Sequence, residues 1–226
     1  MFAEIAQQSW FAIAPRCSGA CCRSTYCLKL FGATMQGMET LIKKALEAGF
    51  DAAGALDCST IILRPEVREA CEKNTCGRYG KSWSCPPGCG SLDECAARIH
   101  RYAKGLIVQT IGKLEDEFDG EGMMAAQQRH AESFRRLSKE LRREYPGMLP
   151  MGTESCSNCD GCSYPDAPCL DPLGAASPME AFGMMVNEVC LANGMEYYHG
   201  KGTLTFTGCF LLEAADLKTQ QSRLGA

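Results

Sequence analysis

From Met38 onward the apolar positions fall into regular periods. Leu41, Ile42, Ala45, Leu46 and Phe50 share one face of a helix, and Gly49 stands where that helix should end. Short apolar runs at Ala52–Ala55 and Thr60–Leu63 predict buried strands. Pro65 then suits the first turn of a short helix that reaches Cys71. Ser91-Leu92-Asp93-Glu94 has the form of a capping box, and Leu92, Ala96, Ile99 and Ala103 continue it as an apolar stripe. Gly105–Ile111 predicts a strand. A long helix from about Met123 to Tyr145 turns Phe134, Leu137, Leu141 and Tyr145 inward, and Met148–Gly152 reads as the next strand. A second capping box, Ser177-Pro178-Met179-Glu180, predicts a helix that buries Phe182, Met185, Val186 and Val189 and stops near Gly194. Thr203–Leu212 closes the series as a strand, with Thr203, Thr205 and Thr207 alternating against Leu204 and Phe206.

Helices and strands thus alternate, which predicts an α/β fold: one domain over residues 38–226, with a mixed sheet, flanking helices and two cysteine-rich metal loops. Residues 1–37 carry no sustained period and are expected to be a disordered extension or a misassigned start, with translation beginning at Met35 or Met38. The rival reading of that stretch is a third metal site, Cys17-x3-Cys21-Cys22-x4-Cys27.

Charge and composition narrow the function classes. A net charge of −4 argues against a general nucleic-acid binder. No apolar run is long enough to cross a bilayer, and Met1–Ala20 lacks the basic start of a secretory signal. The expectation is a cytoplasmic protein that binds neither nucleic acid nor membrane. Its 16 cysteines then need a reason. Disulfide scaffolds are short, secreted and poor in core, so thiolates bound to metal fit this chain better.

Two groups of cysteines carry that chemistry. The later one is Cys156-x2-Cys159-x2-Cys162-x6-Cys169. Its opening triplet lets one tight loop wrap three corners of an iron–sulfur cube, as in bacterial ferredoxins, whereas zinc sites more often pair two knuckles of two cysteines. Which cluster Cys169 serves stays open, because ferredoxin-type runs lend their fourth cysteine to a neighbour. The earlier group is Cys71-x4-Cys76-x8-Cys85-x3-Cys89-x5-Cys95, five cysteines for four places. Cys71, Cys76 and Cys85 are common to either set. Cys95, in the first turn of a capped helix, is preferred over Cys89 as the fourth, although it also continues an apolar stripe. Pro86 and Pro87 stiffen the loop. Tyr79 and Trp83, between ligands, are expected to shield a cluster from water.

Around Cys76, Gly77, Tyr79, Gly80, Trp83, Cys85, Pro86 and Pro87 the chain resembles a family of predicted metal-binding proteins common in anaerobic bacteria and archaea. That family's signature is close to Cys-Gly-x-Tyr-Gly-x-x-Trp-x-Cys-Pro-Pro. Its second motif is similar to Cys156 through Cys169 followed by Ser177 through Ala181, with Leu170 standing where the family places Arg. The resemblance spans about residues 40 to 212. It implies metal binding, with iron–sulfur (4Fe-4S) clusters as the expected cofactor, and supplies no reaction.

Other signals are weaker. Gly80-Lys81-Ser82 ends like a phosphate-binding loop, but Thr75 occupies the place of the leading glycine. His100, His130 and His199 have no ligand spacing, although His199 could approach a cluster. Cys190 and Cys209 read as small buried hydrophobes, and Cys58 is ambiguous. Arg129, Arg135, Arg136, Lys139, Arg142 and Arg143 form a basic helix side. It could dock an acidic redox partner, but the blander reading is a solvated face with Glu132 and Glu140 pairing Arg136. The expected function is therefore electron transfer through two iron–sulfur clusters to a protein partner or small molecule. The alternatives are a redox enzyme binding a small molecule at one cluster and a zinc-stabilised interaction module.

Overall fold

Residues Leu106 to Thr110 are all buried, yet they divide between two cores. Leu106 and Val108 pack into one and Ile107 into the other, as strand alternation requires. Phe210 and Leu212 repeat the division against Cys209 and Leu211. The central sheet is therefore covered on both faces, and the apolar runs Gly105–Val108 and Cys209–Leu212 follow from that.

The computed structural model describes residues 37–213. Cys17, Cys21, Cys22 and Cys27, with the expected extension up to residue 36, lie outside the described residues. Five strands form the sheet: β1 (Ala52–Asp57), β2 (Tyr102–Lys113), β3 (Leu149–Gly152), β4 (Ser177–Pro178) and β5 (Thr203–Glu213). Their order is β1-β2-β5-β3-β4. All neighbours run antiparallel except β3 and β4, so the sheet is mixed, as the alternation of elements predicts.

One face is covered by α1 (residues 37–47) and α4 (Gly120–Glu144), through Leu41, Ala45, Phe134, Leu137 and Leu141. Each such leucine or phenylalanine contributes about 1.5–3 kcal/mol by leaving water. The other face carries α3 (Leu92–Ile99) and α5 (Val186–Ala192), together with Cys58, Cys89, Cys95, Cys190 and Cys209, and α2 (Pro65–Glu72) packs against the Glu180–Phe182 turn of that core. The rest of both cysteine groups lies in connections of turns and bends, residues 73–90 and 153–176, while Cys71 ends α2 and Cys95 stands on α3.

Two predicted elements differ. Thr60–Leu63 is no strand: a short 3₁₀ turn, Cys58–Thr60, takes its place, and Leu63 keeps only an isolated bridge to Met184. Asp57 accepts hydrogen bonds from the Ser59 amide (3.1 Å) and hydroxyl (2.7 Å), a local closure that competes with a ladder. The Ser177–Glu180 capping box is not formed either. Ser177 and Pro178 pair with Met151 and Gly152 as β4. Glu180–Phe182 makes one 3₁₀ turn, and Gly183 ends it at φ 85° with no room for a side chain beside Leu92. The helix starts three residues later, which leaves Met185 at its cap and 37% exposed, whereas Phe182, Val186 and Val189 are buried as expected.

Candidate metal centre

The loop between α2 and α3 is shaped by its signature glycines. Gly77 and Gly80 both hold φ 69°, a conformation that other residues rarely adopt. The Gly80 amide donates to Pro86 O at 2.8 Å, and the Tyr79 amide to Asn74 Oδ1 at 3.0 Å. These closures bring Cys71, at the end of α2, together with Cys76 and Cys85. The three thiols interact electrostatically, and all line a cavity of about 620 Å³. Burial pushes the Cys85 thiol up, while hydrogen bonds from Ser155 and Ser84 favour its thiolate.

Cys89 and Cys95 stand behind this trio. Cys89 sits one helical turn after Cys85, with its amide donating to Cys85 O at 3.0 Å. Cys95 is fully buried on α3. The two thiols contact each other, and Arg68 Nη1 lies 3.6 Å from Cys89 Sγ and 3.7 Å from Cys95 Sγ. The Cys95–Cys89 hydrogen bond and the guanidinium hold the Cys95 thiol low, whereas that hydrogen bond and burial raise Cys89. Arg68 is fixed by Ala181 O (2.6 Å) and Gly90 O (2.7 Å). Sequence reasoning missed it, although its place one turn before Cys71 on α2 was a usable signal.

Cys156, Cys159, Cys162 and Cys169 gather around a small cleft of about 30 Å³. Cys159 interacts electrostatically with the other three and with Asp171, and its thiol is raised, first by desolvation. Cys162 is lowered, because the Trp83 and Tyr164 amides and the Ser82 hydroxyl donate to its sulfur. Trp83 belongs to this second group. It lines the cleft, donates from Nε1 to Ala167 O at 3.0 Å, and meets Tyr164 edge-on at 4.9 Å. Tyr79 lines the larger cavity of the first group. The two expected shielding residues are thus divided between the groups.

A serine cluster joins the groups. Buried Ser82 and Ser84 share a 2.7 Å hydrogen bond, Ser155 Oγ donates to Ser82 at 3.2 Å, and the Cys156 amide donates to Ser84 at 2.9 Å. Residues 82–85 therefore touch sulfurs of both groups.

Glu180 also lines the larger cavity, close to Cys71. Protein surrounds its carboxyl and burial pushes it up, yet its surface is open. Both observations hold for a group on the wall of a deep open cavity. In the sequence it stood only as part of a capping box. Cys58, Cys190 and Cys209 are buried in the core; burial pushes Cys58 to about 12 and also raises the other two. His199 does not line the cavity. Its Nδ1 lies 3.9 Å from Glu196, and its buried Nε2 has no partner.

Among the described residues, no three His, Cys, Asp or Glu side chains stand at the spacing that closes on one ion. The donor sets nevertheless suit soft metal: two clusters of thiols, with amide and hydroxyl donors aimed at sulfur. Among the described residues, no helix is long and apolar enough to cross a membrane.

A mixed α/β sheet with two thiol groups on adjoining loops defines a cysteine-rich protein with candidate metal sites. The chain belongs to the family of predicted metal-binding proteins DUF2284, which matches residues 54–212 and so both groups. No curated protein and no solved structure matches it.

Proposed function

We propose that this is an electron-transfer protein carrying two iron–sulfur clusters of the 4Fe-4S type. Cys156, Cys159, Cys162 and Cys169 would hold one, and Cys71, Cys76, Cys85 and Cys89 the other. Cys89 is preferred to Cys95 because its thiol interacts electrostatically with that of Cys85. The observation that carries the reading is the shared segment: Ser82 and Trp83 donate to Cys162, and Ser84 to Cys85. Such clusters would supply one-electron storage at potentials set by hydrogen bonds to sulfur and by exposure. The residues of this chain position the thiolates, donate those hydrogen bonds and, through Trp83, keep water from the second site.

The 620 Å³ cavity favours a second reading, in which a small molecule meets the first site. Cys71, Cys76 and Cys85 open onto it, and Arg78, Tyr79, Tyr197 and Glu180 offer polar contacts. This would make the protein a redox enzyme.

Protein purified without oxygen tests both. The expected result is a visible absorption bleached by dithionite, with about eight irons and matching sulfide per chain. Cys89→Ser should lose about half the iron, the share of one site of two, whereas Cys95→Ser keeps it. Colourless protein containing zinc and no sulfide would overturn the redox reading in favour of a zinc-stabilised interaction module. A small molecule that perturbs the visible spectrum would favour the enzyme.

A further inference from the structure

Beside the second cysteine group, α4 and the loop 158–176 enclose an open groove of about 480 Å³. Arg135, Lys139, Arg142 and Arg143 line it against one carboxylate, Asp171, in a chain whose net charge is −4. The patch is a local inversion of the molecule's charge.

Neutralisation by neighbouring acids is the ordinary fate of such a stripe. Here the acids turn elsewhere. Glu140 and Glu144 both pair with Lys44 of α1, Glu140 at 3.3 Å. Glu132 accepts from Gln128 at 3.0 Å, and Arg136 donates to Ala48 O at 3.5 Å. Among the described residues none of the four groove cations makes an ion pair. Arg142 is held by Pro146 O (3.1 Å) and Met148 O (3.0 Å), and Asp171 is tied to Asn158 and the Gly174 amide. The groove is therefore fixed on its loop side and left charged on its solvent side.

Its position gives the charge a use. Asn158 and Asp171 line both this groove and the cleft among the four cysteines. Leu170, next to Cys169, is 72% exposed, and Leu173, further along the same loop, is 67% exposed. Cations around exposed apolar side chains, at the rim of a metal site, match the charged rim and apolar centre of a transient redox interface.

We infer that this groove is the docking face for a small acidic electron-carrier protein, which exchanges single electrons with the second cysteine group. The inference rests on the redox reading above: one electron leaves the reduced carrier and reduces this site, or the reverse, with no bond made or broken. Inorganic phosphate or another small anion is the competing occupant.

The test uses the metal-loaded full chain, an acidic flavodoxin as probe and the double variant Lys139→Glu, Arg143→Glu. A control pair, Lys43→Glu and Lys113→Glu, makes the same change in net charge away from the groove. Binding is followed by isothermal calorimetry and electron transfer by stopped flow. The groove variant should weaken binding and slow transfer about tenfold or more, with the control near wild type. Raising ionic strength from ~0.05 to ~0.5 M should produce a similar loss, since screening shortens the reach of exposed charges. Transfer to a neutral small-molecule acceptor should not change. Equal behaviour of groove and control variants, or saturation of the groove by phosphate with no flavodoxin bound, would overturn the docking face. If iron and sulfide are absent but the groove variant still weakens binding, the docking face stands and the redox reading fails.

Discussion

His130 sits on α4 with its ring against Phe50, Phe134 and Phe206, and it is 1% exposed. Nδ1 meets Thr110 Oγ1 at 3.0 Å and Nε2 has no partner. Burial, with Arg129 nearby, pushes its pKa from the ordinary 6.5 down to about 4. The unfolded chain therefore binds the extra proton first. His130 adds stability that is complete above about pH 6.5 and is lost as pH falls toward 4, on the order of 3 kcal/mol in all. Urea midpoints measured from pH 7.5 to 4.5 should fall more steeply for the wild type than for His130→Gln; parallel curves would sink the assignment. At this scale the sequence exposed the two cysteine groups through spacing alone, because a tight loop must place its cysteines close together. It hid what depends on distant partners. Trp83 lies between two cysteines of the first group, but Ala167, 84 residues away, draws it to the second. Arg68 and Glu180 belong to the site only because α2 and the 3₁₀ turn after β4 meet there.

The cap of α3 tests how local structure supports the first cysteine group. Ser91 Oγ accepts from the Glu94 amide at 3.2 Å, and Glu94 Oε2 accepts from the Ser91 amide at 2.7 Å, the reciprocal arrangement read from the sequence. Ser91→Ala should lower the unfolding free energy by about 1 kcal/mol while metal content stays at the wild-type level. Loss of metal from that variant would mean that Cys95, on the same helix, is a ligand after all. The other sequence-level cap failed for an instructive reason. Ser177-x-x-Glu180 has the same letters, but β3 offers Ser177 a parallel partner, and Gly183 then breaks the chain before a helix can propagate. A capping box states a local preference, and strand pairing over 26 residues overrode it. The long strands and α4 were legible because their periods persist over many residues and match the two buried faces.

Over the whole molecule, the cores and the cysteine loops differ in what holds them. Both faces of the sheet are closed by apolar side chains, among them Leu106, Leu137, Met151, Phe182 and Phe210, none of which is a metal ligand. Residues 73–90 and 153–176 have turns, the serine cluster and the Trp83 anchor in place of long ladders. Metal bound in those loops should stabilise them by mass action and leave the sheet to its own packing. Removing metal with a chelator at neutral pH is expected to abolish hydrogen-exchange protection at amides within 76–89 and 156–171. Amides in 105–111 and 206–212 should keep theirs, and far-ultraviolet circular dichroism should change little. Zinc-finger-like behaviour, in which the whole chain unfolds when metal leaves, would refute this division, because metal would then be the source of the folding energy. The division has a functional side as well. A sheet that needs no metal should hold α4 and its basic groove in place beside the second cysteine loop. Chelated protein should therefore still bind the acidic carrier wherever the groove's shape comes from α4, and lose binding only to the extent that loop 158–176 forms the opposite wall.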